Sequence, residues 1–146
     1  MYTGLQHIHS TLPYLIFIAL AGALILSLLK RNNPGPFDSL TRRFSLFTLI
    51  FTHIQLLLGI VLYFVSPITK NAMADFGAAM GESAIRFYAV EHVLTMILAA
   101  VAITIGNSKA KKASTGKKAY NSILLYFTIA FILILLRIPW HVWPGL

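Results

Sequence analysis

Four stretches of about twenty apolar residues, separated by short polar segments, dominate this chain, and a stretch of that length is what carries an α-helix across the hydrocarbon core of a bilayer. They run over about 5–29, 44–66, 86–106 and 119–138. Inside lipid no water is available to bond the backbone, so each stretch must satisfy its own N–H and C=O groups as a helix. Of 146 residues, 58% are hydrophobic and 11% charged, too apolar a balance for a soluble domain of this size to bury. The expected fold is therefore all-α: one integral membrane domain over residues 1–146, a four-helix bundle whose short connections make neighbouring spans antiparallel. The first stretch reads as a span and not as a signal peptide, because it lacks a basic start and is too long for an h-region.

The net charge of +8 would suggest nucleic acid in a soluble chain. Here it is a topology signal. The first loop region holds Lys30, Arg31, Arg42 and Arg43, and the third holds Lys109, Lys111, Lys112, Lys117 and Lys118, nine of the twelve basic residues. The other side has Lys70, Arg86 and Arg137, balanced by Asp75, Glu82 and Glu91. The positive-inside rule puts the basic loops in the cytoplasm and both termini outside. The run KAKKASTGKK is read as a solvated topogenic loop. The longest outer connection, 67–85, is expected to form a short interfacial helix or a cap, and Trp140 and Trp143, with Pro139 and Pro144, to end the last helix at the outer headgroup belt.

There is no cysteine, which removes disulfides, thiolate metal sites, iron–sulfur clusters and cysteine nucleophiles; a metal would have to be held by His, Met or carboxylate. The five histidines are His7, His9, His53, His92 and His141. An ionisable ring in or beside lipid needs a partner, and in a four-helix membrane bundle the group that most often takes two histidines is haem iron. Height along the spans, at ~1.5 Å per residue from the last cytoplasmic basic residue, sorts them. His53 lies about 15 Å up, His92 about 25 Å and His9 about 31 Å, with His7 and His141 near 34 Å at the outer surface. A six-coordinate haem needs both ligands at similar height, so the expected metal ligands are His9 and His92, with iron towards the outer leaflet.

Arg137, about 28 Å up the fourth span, and Arg86, at the outer end of the third, are candidates to pair with haem propionates. Small residues, Thr95, Ala99, Ala102 and Gly106 on the third span and Thr48, Thr52, Gln55 and Gly59 on the second, leave room for a flat ring or for close helix packing. Other readings stay open at each position. His53, whose ring points roughly opposite to Gln55, is either a packing residue or faces a haem edge, a quinone pocket or a neighbouring subunit. His7 and His141 read as interfacial residues, with His7 a substitute ligand if His9 points outward. Arg86 and Arg137 could be anchors that snorkel, and Glu91 a partner of either or a proton acceptor.

The stretch Gln6-His7-Ile8-His9-Ser10, the Gln55 and Gly59 of HIQLLLG and the His92 of EHVLTMILAA together resemble the four-helix haem-binding module that occurs twice in heme A synthases. The chain is still more similar to short bacterial four-helix membrane proteins labelled cytochrome b-like. The likeness covers the first three spans. It implies haem b held by His9 and His92, with Gln55, Gly59 and His53 in the cofactor environment, in a multi-pass protein of a bacterial inner membrane. The chain departs from the synthase pattern in carrying Gln6 where the module has its acid and Ser10 where it has an arginine, and it has half the length, which argues against heme A synthesis.

The leading expectation is a b-type haem protein for electron transfer, with quinol or respiratory-complex subunits as partners besides the bilayer, no nucleic acid, and an oligomer possible. The alternative is a cofactor-free structural or assembly subunit of a larger membrane complex. A third reading, a proton path through His53 and Glu91, lacks a second ionisable group at mid-depth. No catalytic residue emerges.

Overall fold

The computed structural model describes residues 2–143. All regular structure among them is helical: α1 Tyr2–Lys30, α2 Ser39–Val65, α3 Pro67–Ala74, α4 Phe76–Gly81, α5 Ser83–Arg86, a π-helical turn over Phe87–Glu91, α6 His92–Lys112 and α7 Gly116–Arg137. Four helical runs are long and apolar enough to cross a membrane: Tyr2–Lys30, Ser39–Val65, Ser83–Lys112 and Gly116–Arg137. Each overlaps its expected stretch but differs at the ends: most run longer into the polar flanks, where the capping residues lie, while the second and fourth stop one residue short, at Val65 and Arg137. Asp38 caps α2 by accepting from the Thr41 N–H and hydroxyl, and Thr115 caps α7 by accepting from the Lys118 N–H. The expected helix or cap over 67–85 is found as the three short helices α3, α4 and α5.

Proline sets two stops. Ser66 and Ile138, the residues before Pro67 and Pro139, are extended (ψ 132° and 137°), since a following proline disfavours the helical conformation. Thus α7 ends at Arg137, ahead of both tryptophans. Trp140 then donates its indole N–H to the Leu135 carbonyl at 2.9 Å, covering one of the acceptors the helix end leaves open. Pro144, expected to share in that ending, lies outside the described residues.

The four long helices form a bundle in which α1 packs on α2 and α7, and α6 packs on α7 and α2. That order leaves α1 and α6 facing each other across the middle. The core holds Leu20, Ala23, Ile103, Ala119, Ile123, Phe127 and Ala130. Small residues decide the closest approaches. A Cβ on Gly22 would stand 2.5 Å from the Phe44 ring, and one on Gly106 would stand 2.7 Å from the Tyr126 Cβ. Outside the core the surface is apolar, with Ile18, Leu29, Leu57, Phe64 and Leu136 all more than 60% exposed, which suits hydrocarbon as the surroundings. Three threonines in the spans satisfy themselves: the hydroxyls of Thr48, Thr95 and Thr104 donate to the carbonyls four residues earlier.

At one end of the bundle the two basic loops meet. The Gly116 N–H donates to the Gly35 carbonyl at 3.2 Å, and Gly35 adopts φ 135°, a conformation glycine reaches without strain. Asp38 ties this end together. Its carboxylate pairs with Lys30 at 2.7 Å as well as capping α2, and its own N–H donates to the Tyr120 hydroxyl of α7 at 3.0 Å.

The hydrogen bond from Lys30, then that from the Thr41 N–H, lowers the Asp38 pKa from 3.8 to about 2. A carboxylate whose folded pKa is depressed stabilises the fold above its unfolded value and loses that contribution as pH falls through the folded one. Asp38→Ala should therefore cost about 1–2 kcal/mol at neutral pH, and the wild-type advantage should fade between about pH 4 and pH 2. Detergent-unfolding curves of both proteins across that range measure it. Gly106→Leu should cost several-fold more in the same assay, because the neighbouring Tyr126 Cβ is fixed to its own helix and cannot retreat.

Candidate functional site

Four of the residues singled out from the sequence lie together at the other end of the bundle: His9 of α1, Gln55 and Gly59 of α2, and His92 at the start of α6. The His9 and His92 ring centroids are 6.5 Å apart and the rings are inclined by 72°. The pair thus bridges the diagonal between two helices that otherwise scarcely touch.

Why His9 sits there follows from a proline four residues on. Pro13 has no N–H, so the His9 carbonyl loses the partner that a helix would supply. In hydrocarbon that loss must be made good, and the Gln55 side-chain amide donates to the His9 carbonyl at 2.7 Å. One turn further along α2, Gly59 leaves the space that the ring fills: a Cβ there would come within 3.1 Å of His9 Cε1. At the next residue of α1, the Trp143 indole N–H donates to the Ser10 carbonyl at 2.8 Å. His9 Nδ1 and Gln55 Oε1 are buried with no hydrogen-bond partner, so the ring nitrogen retains the capacity to bind a proton donor or a metal.

His92 is held by a different backbone vacancy. The Arg137 carbonyl is in the last turn of α7, where helical acceptors run out. His92 Nδ1 lies 2.7 Å from it. A carbonyl can only accept, so Nδ1 carries the hydrogen, and in the neutral ring Nε2 is left with its lone pair. Fixing one imidazole nitrogen on a carbonyl is the usual way a metal-binding histidine is oriented. The π-helical turn ends directly at His92, whose N–H reaches back five residues to the Phe87 carbonyl, and the Phe87 ring lies 5.9 Å from the His92 ring. Such a bulge resets the register of the helix at the point where the histidine begins.

Glu91 takes both arginines. Arg86 Nε donates to its Oε1 at 2.9 Å, and Arg137 Nη2 lies 3.5 Å from Oε2. Arg86 also donates to the Met80 carbonyl at 2.8 Å. Two guanidiniums on one carboxylate leave one positive charge in the trio, beside His92.

The remaining histidines are elsewhere. His7 is exposed. His141 is exposed just beyond the C-terminal end of α7, its Nε2 lying 3.1 Å from the Tyr88 hydroxyl. His53 is exposed on the opposite side of α2 from Gln55, with Nδ1 2.8 Å from the Leu49 carbonyl and Nε2 3.4 Å from the Thr104 hydroxyl of α6. It lies apart from the His9–His92 pair. The sequence reading missed the Arg137 carbonyl as the anchor of His92 and missed what Gln55 does for His9. Pro13, four residues after His9, was the available signal for the second.

The feature here that matches a metal between two imidazoles is the ring separation. Metal–nitrogen bonds of about 2.0 Å on opposite sides put the ring centroids roughly 6 Å apart, close to the 6.5 Å found. The unpartnered His9 Nδ1 and the space at Gly59 belong to the same environment. The chain matches no protein-family model, no curated protein and no solved structure.

The repair of the His9 carbonyl has a direct test. Gln55→Leu should destabilise the wild-type fold by about 1–3 kcal/mol, the cost of a buried acceptor left unmet. In a Pro13→Ala background residue 13 regains its N–H, and the same substitution should cost well under half as much. A double-mutant cycle on unfolding free energies reads the coupling. Equal costs in both backgrounds would mean that Gln55 stabilises something other than that carbonyl.

Proposed function

We propose that this chain is a multi-pass b-type haem protein of a bacterial inner membrane, its four spans antiparallel with both termini outside, and that it transfers electrons close to the outer face. The single observation that carries the reading is the His9–His92 pair. Two imidazoles from facing helices stand at the separation one metal requires, and the carbonyl bond to His92 Nδ1 leaves Nε2 as the nitrogen for the metal. Among the described residues no group of three or more His, Asp or Glu is placed to hold a metal ion. The reading needs only these two histidines, since a macrocycle would fill the remaining positions of the iron.

The topology rests on the clustering of nine basic residues in the two loop regions joined by the Gly116–Gly35 hydrogen bond. The pairing of His9 with Gly59 and of Gly22 with Phe44 supports opposed directions for α1 and α2.

When bound, haem supplies one-electron chemistry between ferric and ferrous iron. The chain's own residues would hold it and set its surroundings. His9 and His92 would hold its iron through their imidazole nitrogens. Gln55 and Gly59 fix the backbone and ring of His9, and the Arg137 carbonyl fixes the tautomer of His92. Arg86 and Arg137, sharing Glu91, offer the net positive charge that propionates need near lipid. Quinol or a respiratory subunit would be the partner. The resemblance read from the sequence to half of a heme A synthase would imply the same two ligands, while Gln6 in the acid's place speaks against the synthase reaction.

A second reading, a cofactor-free structural or assembly subunit, draws on Glu91, which already satisfies both candidate propionate partners. A reduced-minus-oxidised visible spectrum of the protein, purified in mild detergent after expression with added haem, separates the two. A sharp low-spin α-band, lost in His9→Ala/His92→Ala with the bundle intact by circular dichroism, is the expected result. A flat wild-type spectrum, or a band that survives the double replacement, overturns the proposal.

A further inference from the structure

At the basic end of the bundle the loop after α1 and the loop before α7 enclose a cleft of about 590 Å³. That is the size of a small-molecule site, roughly 300–1,000 Å³. Arg31, Asn32 and Asn33 line it from the first loop, and Ser114, Thr115 and Lys117 from the second. The two loops are pinned together. The Gly116 N–H donates to the Gly35 carbonyl, and a Cβ on Gly116 would stand 2.5 Å from that oxygen. Pro34 and Pro36 flank Gly35 and restrict the backbone there, so the cleft belongs to the fold.

Its chemistry is one-sided. Guanidinium, ammonium, amide and hydroxyl groups all offer hydrogens, and no acid lines the cleft. Of the four acids in the sequence only Asp38 belongs to this end, and its carboxylate is taken by Lys30 and by the start of α2. Among the described residues neither Arg31 nor Lys117 pairs with an acid. Lys118 adds a third cation, its Nζ 3.3 Å from the Ser114 Oγ. Such a set suits an anion with several acceptor oxygens, as a phosphate is. Position selects what carries the phosphate. The cleft lies where two candidate membrane spans end, and Leu28 and Leu29, just before Arg31, are exposed and apolar. A phospholipid meets both conditions, with its phosphate in the cleft and its acyl chains on the apolar surface below. We infer that this cleft binds the headgroup of an anionic phospholipid, its phosphodiester held by Arg31 and Lys117 and its head alcohol by the asparagine amides and the hydroxyls. The segment Ser114–Lys117, read from the sequence as part of a solvated topogenic loop, thereby gains a ligand. The site is at the opposite end from the His9–His92 pair and stands whether or not iron is bound there.

The test is native mass spectrometry of the full chain in mild detergent, titrated with phosphatidylglycerol or with phosphatidylcholine, which has the same phosphodiester but carries a cationic choline. The first phosphatidylglycerol should bind about tenfold more tightly than the first phosphatidylcholine. Arg31→Gln/Lys117→Gln should remove that preference. Lys111→Gln/Lys112→Gln takes the same charge from the same loop region outside the cleft, and should keep it. Ser114→Glu leaves Arg31 and Lys117 in place but puts a carboxylate in the wall, and should weaken phosphatidylglycerol as the first double variant does, which keeps the test decisive should that variant fail to fold by circular dichroism. Glycerol 3-phosphate, a soluble phosphate, should displace the lipid only in large excess. Equal affinity for the two lipids, or equal losses in the two double variants, would reduce the effect to overall charge and overturns the proposal. Displacement by glycerol 3-phosphate at equal concentration overturns it too, because the cleft would then take a soluble phosphate.

Discussion

The organising constraint in this bundle is the backbone carbonyl that has no partner in hydrocarbon. Water cannot reach it, and an unmet buried acceptor costs about 1–3 kcal/mol. Pro13 opens such a carbonyl at His9, and the end of α7 opens another at Arg137. Side chains from other helices meet both, Gln55 from α2 and His92 from α6. Each repair crosses a helix interface, so each also fixes how two helices sit against one another. The position of α1 against α2 and the aim of the His92 ring are consequences of the same requirement, and the candidate site stands where the two repairs come together.

That origin explains what could be read from the sequence. The four spans were legible because their apolar length is a property of each segment alone, and the helix ends differed because Asp38, Thr115, Pro67 and Pro139 act locally in the polar flanks. The meeting of His9 and His92 follows from height along two helices facing each other, which residue counting approximates. Gln55 was visible as a polar residue in a span, but its role depends on a proline in another helix and on the register between the two. The Arg137 carbonyl was not legible at all. A backbone acceptor carries no side-chain signature, and only the place where α7 stops makes it available. The arginines were read as partners for an anionic group or as anchors, and Glu91 as a partner of either; Glu91 takes both, since α5 and the π-helical turn bring Arg86 back onto the carboxylate five residues later.

The two ends of the molecule divide the work of holding it together. At the basic end, Lys30, Asp38, Thr41 and Tyr120 form a continuous set of bonds linking the end of α1, the start of α2 and the start of α7, and the Gly35–Gly116 contact closes one loop on the other. These groups border water, so each bond contributes modestly, but together they fix three helix ends. The far end is held instead by the two carbonyl repairs, and beside them it carries an unmet ring nitrogen and a shared carboxylate.

Glu91 gives that far end its chemical character. Without it, two guanidiniums would stand beside a half-buried imidazole with no counter-charge, and the His92 environment would repel any metal cation. With both arginines unpaired from it, the carboxylate would itself be the unmet ion at the edge of lipid. One acid between two bases leaves a single net positive charge, enough to attract an anionic group and small enough to be tolerated at the membrane boundary when none is bound.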